Sequence, residues 1–170
     1  MQIKTESTKN IKSHVPVQPC IKYTNSSGAT WYYCFDDPAD ELSDVDQEAL
    51  DHLEYTGDSA FERTYIKIPH GWDDDAFIDH YFTYLNLDEN DQDAVDAYIE
   101  YTGITDMCPQ IIMDEYQGLF SNKVEFTQFY VDEIVGEVEP SFVVVDWEAT
   151  ADNIFDYDFI ITSEGYVFRA

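Results

Sequence analysis

The sequence predicts an α+β fold, an elongated chain of two or three small modules. Three observations carry that prediction. Strand-like and helix-like segments are segregated: a strand pair, a helix and a third strand come first, helices fill the middle, and a hairpin closes the chain. No stretch repeats with a solenoid period. Of 170 residues, 44% are hydrophobic and 16% aromatic, with 13 Tyr, 11 Phe and 3 Trp, which is core material that a solvated acidic chain lacks. The modules are placed at 1–19 (a basic flexible tail), 20–70 (N-terminal α+β), 71–105 (helical middle) and 106–170 (C-terminal helices with a closing hairpin).

Each element has a local reason. Cys20–Tyr23 and Thr30–Phe35 are rich in aromatic and β-branched residues, and the turn cluster Thr24-Asn25-Ser26-Ser27-Gly28 between them predicts a hairpin. Asp36-Asp37-Pro38 supplies an N-cap and a first-turn proline. Leu42, Val45, Ala49, Leu50 and Leu53 then recur at helical spacing until Gly57. Thr64–Ile68 reads as a third strand, ended by Pro69. Asp73-Asp74-Asp75 suits a first helical turn, with Phe77, Ile78, Tyr81, Phe82 and Leu85 as its apolar face. A helix from about Asp91 to Thr102 turns Ala94, Val95, Tyr98 and Ile99 inward and stops at Gly103. A further helix covers Pro109 to Gln117, with Ile111, Ile112 and Tyr116 inward. Ser121 caps the next, which buries Phe126, Tyr130, Ile134 and Val135 before Gly136. Pro140 opens a segment in which Phe142–Val145 is ambiguous, its β-branched residues leaning to strand, and Asp146–Ile154 reads better as helix. Asp158–Thr162 and Tyr166–Phe168 flank the turn Ser163-Glu164-Gly165 and form the last hairpin.

Charge narrows the function classes. The chain has 8 basic and 36 acidic residues, a net charge of −28. Lys4, Lys9, Lys12 and Lys22 are half of the cations, so residues 23–170 carry a net charge of −31. Phosphates and anionic lipid surfaces are repelled by such a body, which disfavours nucleic acid and membrane as direct partners. No apolar run reaches the roughly 18–20 residues of a membrane helix, and the N-terminus has no signal-like apolar core. A cytoplasmic location in a bacterial host cell is the expectation. Cys20, Cys34 and Cys108 form no CxxC and are expected as thiols.

Enzyme signatures are weak. There is no Walker A, GxGxxG, GxSxG or HExxH pattern. His14, His52, His70 and His80 are scattered and read as structural or surface residues. Asp88-Glu89-Asn90-Asp91-Gln92-Asp93 begins like an EF-hand loop, but Asp93 stands where that loop takes Gly and Ile99 where it takes the bidentate Glu. With so many carboxylates, a chance pair carries no information about acid–base chemistry. The expectation is a protein without catalytic residues, metal or cofactor.

The acids are better read together. Acids three or four apart on a helix make a row of charge on one face. A charged face is ordinarily a solvated face, but ordinary surfaces mix both signs, and here cations are nearly missing. At about one charge per 1.7 Å of duplex axis, a body of −31 matches at most roughly 50 Å of DNA, and a dimer roughly 100 Å. The candidate phosphate-mimicking, partner-binding carboxylates are Asp75, Asp79, Asp88, Glu89, Asp91, Asp93, Asp96, Glu100, Asp114, Glu115, Glu125, Asp132, Glu133, Glu137, Glu139, Asp146, Glu148, Asp152, Asp156 and Asp158. Two rival readings are an acidic mimic or chaperone for another basic partner (a CRISPR effector, a polymerase or a nucleoid protein) and an enzyme adapted to high salt.

One family shares particular stretches. Asp114-Glu115-Tyr116-Gln117-Gly118-Leu119-Phe120-Ser121 followed by Phe126, then Asp146-Trp147-Glu148-Ala149-Thr150-Ala151-Asp152, then Asp158-Phe159 with Gly165-Tyr166-Val167-Phe168, resemble segments of the ArdA antirestriction proteins. Residues 110–168 carry the resemblance by their letters and residues 20–69 by their organisation. The family usually has arginine where Ala151 stands. The resemblance implies a curved, three-domain, dimeric DNA mimic that occupies the DNA-binding groove of a host type I restriction–modification enzyme or other basic DNA-binding defence protein. Such a protein shields incoming phage or mobile DNA.

Overall fold

The computed structural model describes residues 11–12, 16, 18–35, 42–56, 61–135 and 144–170. The chain is mixed α+β, with two small antiparallel sheets and, among the described residues, six α-helices. It divides into two compact units between Asp88 and Glu89. The Asp36–Pro38 cap, Gly57, Gly136, Glu137, Glu139, Pro140, Phe142, Val143, His14 and most of the N-terminal tail lie outside the described residues.

In the first unit, β1 (Ile11–Lys12), β2 (Cys20–Asn25), β3 (Thr30–Cys34) and β4 (Phe61–Ile66) form a sheet in the order β1-β3-β2-β4. The β2–β3 hairpin is as predicted, and Asn25 explains its turn. Its buried Oδ1 accepts from Ser27 N–H at 3.1 Å, Ser27 Oγ at 2.8 Å and Ala29 N–H at 2.8 Å. An Asn side chain that replaces backbone acceptors is the mechanism of an Asx turn. α1 (Leu42–Thr56) turns Val45 and Ala49 into the core, as its spacing requires.

Two expectations need correction here. The third strand runs from Phe61 to Ile66, three residues ahead of the predicted start, and pairs along β2 from Asn25↔Phe61 to Cys20↔Ile66. Lys67 at φ 59° and then Pro69 end it. The following helix, α2 (Ile78–Leu85), does not begin at Asp73. Asp74 Oδ1 instead accepts from Ala76 N–H at 2.8 Å and Phe77 N–H at 3.2 Å, so the acidic run folds as a turn before the helix. Trp72 is fully buried beside His70, His80 and Tyr84, while Ile78, Tyr81 and Phe82 pack inward from α2.

In the second unit, α3 (Glu89–Thr102) buries Ala94, Val95, Tyr98 and Ile99, and Gly103 at φ 71° follows its last residue. α4 (Pro109–Asp114) is shorter than predicted. Tyr116 and Gln117 belong to β5 (Tyr116–Leu119), because Tyr116 pairs with Phe168 and Gly118 with Val167. Sheet pairing outweighs the local helical spacing there. Ile111, expected inward, is 52% exposed. The sheet has the order β5-β7-β6, with β6 (Phe159–Ile161) and β7 (Tyr166–Arg169) as the closing hairpin.

α5 (Lys123–Tyr130) is capped by Asn122 rather than Ser121: Asn122 Oδ1 accepts from Glu125 N–H at 3.0 Å. The Glu125 carboxylate reaches back to Ser121 N–H at 2.7 Å, a reciprocal pair of bonds like a capping box set one residue wide. A π-helical turn, Val131–Val135, continues α5. Val144 is 95% exposed and Val144–Asp146 has no regular structure, so the ambiguous Phe142–Val145 run forms no strand over its described part. Asp146 then caps α6 (Trp147–Tyr157) by accepting from Ala149 N–H at 3.1 Å. Phe126 is the hub of this unit's core. Its ring centroid lies 5.1 Å from Phe120, 5.7 Å from Tyr130, 5.5 Å from Phe155 and 4.8 Å from Phe159.

Candidate functional site

The second unit carries nineteen acids against two cations, Lys123 and Arg169. Lys123 sits over the Phe155 ring, 5.3 Å from its centroid, and among the described residues neither cation ion-pairs with a carboxylate. The unit therefore has a net charge of −17, nineteen acids less two cations.

Their placement follows from helix geometry. On α3, Glu89, Asp93, Asp96 and Glu100 share the face opposite Ala94, Val95 and Ile99; three of the four are exposed and Asp96 is half-buried. At about 1.5 Å of rise per residue this row is roughly 16 Å long. On α6, Glu148, Asp152 and Asp156 are each four residues apart and all exposed, a second row of roughly 12 Å. Both rows arise because apolar residues occupy the complementary positions.

A third group gathers around the β5–β7 pair. The Tyr116 and Tyr166 rings lie 6.1 Å apart. Burial raises the Tyr116 phenol above its ordinary pKa, with Tyr166 and Asp91 adding to the rise. Burial, then Asp93 and Glu164, do the same to Tyr166. Tyr98 is raised by burial and by Glu115. Asp91 and Asp93 of α3, Glu115 ahead of β5 and Glu164 in the β6–β7 turn thus act on tyrosines around the β5–β7 pair, which their spacing in sequence does not show.

The remaining candidates divide by what holds them. Asp114 is exposed and accepts from Gln110 Nε2 at 3.3 Å. Asp132, Glu133 and Asp158 are exposed. Glu125 and Asp146 are exposed but also cap helices, so their charge serves the fold as well. The Glu125 carboxyl is held below its usual range by the Ser121 hydrogen bonds. In the first unit Asp79 and Asp88 are exposed.

Asp75 has a different job from the one its spacing suggests. Its Oδ2 meets Arg63 at 2.8 Å and its Oδ1 accepts from the Tyr65 hydroxyl at 2.6 Å. Arg63 reaches Asp46 with its other nitrogen at 3.1 Å, and Asp46 Oδ1 accepts from the Tyr23 hydroxyl at 2.9 Å. This clasp ties β2, β4, α1 and the turn before α2 together. Sequence reasoning missed it. The available signal was Arg63 and Tyr65 at i, i+2 on one strand face, in a chain where cations are scarce.

The clasp makes stability pH-dependent. Burial and then Asp46 push the Tyr23 phenol far above its ordinary value of 10.0; burial and the Asp75 hydrogen bond do the same to Tyr65. Burial raises Tyr81 to about 12. The unfolded chain loses these protons near pH 10 while the folded chain keeps them. Their contribution is whole below about pH 10 and is lost as pH rises through the folded values. Urea midpoints should be level from pH 7 to 9 and fall steadily above 10, with Tyr23→Phe blunting the fall. A midpoint unchanged at pH 11 contradicts this.

No group of three or more His, Cys, Asp or Glu among the described residues is arranged to hold a metal ion. His52 Nε2 and His80 Nδ1 are buried without a hydrogen-bond partner, and the rings pack edge-on against Trp31 and Trp72. No described helix is long and apolar enough to cross a membrane. No family model, curated protein or solved structure matches the chain.

Proposed function

We propose that this protein is a non-catalytic DNA mimic, which occupies the DNA-binding groove of a host type I restriction–modification enzyme and so protects incoming phage or mobile DNA. The observation that carries the reading is the pair of one-sided carboxylate rows on α3 and α6, in a unit that holds nineteen acids and only two cations. A basic groove shaped for phosphates gains affinity from such rows through complementarity and counterion release. The resemblance of residues 110–168 to ArdA proteins names the target class. The protein works in the cytoplasm of a bacterial host as a homodimer, with Leu119 and Phe129, 59% and 44% exposed, offering apolar surface for self-association. It takes no cofactor.

A mobility-shift competition between this protein and labelled DNA for a type I restriction enzyme tests the reading. Stoichiometric protein should displace the DNA, and displacement should weaken steeply as salt rises. Failure at stoichiometry at low salt sinks this target. If lysate capture recovers only a CRISPR effector, polymerase or nucleoid protein, the mimicry stands with a different partner.

Function spread over many weak contacts predicts a graded response. Asp93→Asn alone should change the inhibitory concentration by about twofold. Changing Glu89, Asp93, Glu100, Glu148, Asp152 and Asp156 together to amides should raise it on the order of a hundredfold, at about 0.5 kcal/mol per site. A single amide substitution that abolishes inhibition in a folded protein would contradict the distributed site.

A further inference from the structure

Cys20 and Cys34 are Cα partners in the β2–β3 register. Both are thiols, both are fully buried, and with Tyr32 they form one small cluster against which Ile66 packs. Being cross-strand neighbours in one cluster, their side chains leave the sheet on the same face.

The hairpin turn decides what kind of pair they are. Asn25 N–H donates to Ala29 O at 3.0 Å, which makes Asn25 and Ala29 a hydrogen-bonded pair. Hydrogen-bonded and non-hydrogen-bonded pairs alternate along an antiparallel ladder. Counting back through Thr24↔Thr30, Tyr23↔Trp31, Lys22↔Tyr32 and Ile21↔Tyr33 puts Cys20↔Cys34 at a non-hydrogen-bonded position. There the Cα atoms approach to about 4.5 Å, inside the range of about 4.4–6.8 Å that a disulfide spans. A one-residue slip of register would have put the two thiols on opposite faces.

We propose that Cys20 and Cys34 are a modification site: a thiol pair that closes to a cross-strand disulfide when the protein meets hydrogen peroxide. One thiolate attacks the peroxide oxygen, giving a sulfenic acid and one water. The second thiolate attacks that sulfur and expels hydroxide, which leaves as the second water. Two thiols give up two electrons and the peroxide takes them. Access comes from local opening at the end of the hairpin, where β2 starts and β3 stops. The product locks the first unit's hairpin and stabilises it by restricting the unfolded chain.

The test uses the full chain carrying Cys108→Ser, so that only this pair can react. After hydrogen peroxide, the protein is denatured in N-ethylmaleimide and read by intact mass and peptide mapping. The expected product is a monomer that has lost two hydrogens, takes up no maleimide and yields one linked peptide containing Cys20 and Cys34. Its unfolding midpoint should rise by on the order of 10 °C, and dithiothreitol should reverse the rise. With Cys34→Ala added, no linked peptide should form, and a thermal melt before oxidation confirms the variant is folded. Two thiols that remain maleimide-reactive, oxygen added at either sulfur without a link, or crosslinks only between chains would each overturn the proposal.

Discussion

Gly165→Ala should destabilise the second unit by about 4 kcal/mol, against roughly 5–15 kcal/mol for a whole domain. Gly165 sits in the β6–β7 turn at φ +100°, outside the range an L side chain adopts without strain. That conformation costs an alanine about 1–3 kcal/mol. A Cβ there would also run into the carbonyl oxygen of Phe120. The clash involves backbone on both sides, so no rotamer relieves it. Two bonds depend on this approach: Phe120 N–H to Gly165 O at 2.9 Å, and Gly165 N–H to Thr162 O at 3.1 Å. Overpacking of this kind adds about 1–3 kcal/mol. Gly103→Ala is the control, because Gly103 also has positive φ (+71°) but nothing within 4 Å of its Cβ position. It should lose only about 1 kcal/mol. Urea melts by intrinsic fluorescence report both, and equal midpoints for the two variants would refute the clash.

Phe126→Ala should cost about 3–5 kcal/mol. Phe126 is 1% exposed and touches four aromatic rings contributed by α5, α6, the β6 strand and the segment before α5. Truncation removes the ring that all four contact, and aromatic walls cannot collapse far into the gap. Phe126→Leu keeps most of the volume and should lose much less, about 1 kcal/mol. Hydrogen exchange should localise the loss to residues 89–170. In the mobility-shift assay both variants should compete in proportion to the fraction folded, since no carboxylate is changed. A Phe126→Ala protein with an unfolding midpoint equal to that of the unmodified chain would show that the aromatic hub is dispensable.

Much of the fold was legible because short-range chemistry dominates it. The β2–β3 hairpin follows from Asn25 and Gly28, α3 from the spacing of Ala94, Val95, Tyr98 and Ile99, and the last hairpin from Gly165 between two apolar runs. Misreadings fell where local and long-range preferences compete. Tyr116 and Gln117 continue a helical pattern but join a strand, because β7 offers backbone partners. Asp73–Asp75 looks like a first helical turn, but Asp74 uses its carboxylate on backbone N–H groups and delays the helix. Ser121 and Asn122 are both good caps, and only the bond from Glu125 N–H distinguishes them.

The candidate site divides the same way. Sequence alone determined the sign and size of the charge, the shortage of cations and the helix-spaced acids Asp93, Asp96 and Glu100, because period and composition are local properties, while the ends of α3 and α6 that add Glu89 and Asp156 to the rows came from the structure. Only the tertiary structure decided which acids are already engaged. Asp75 is held by Arg63 and Tyr65, and Asp46 by Arg63 and Tyr23, through side chains from other strands and turns. The same holds for the negative field that Asp91 and Asp93 impose on Tyr116 and Tyr166, and for the Cys20↔Cys34 pairing. Each is a contact between residues distant in the chain, fixed by sheet register and helix packing. A one-dimensional pattern carries no distance between such residues.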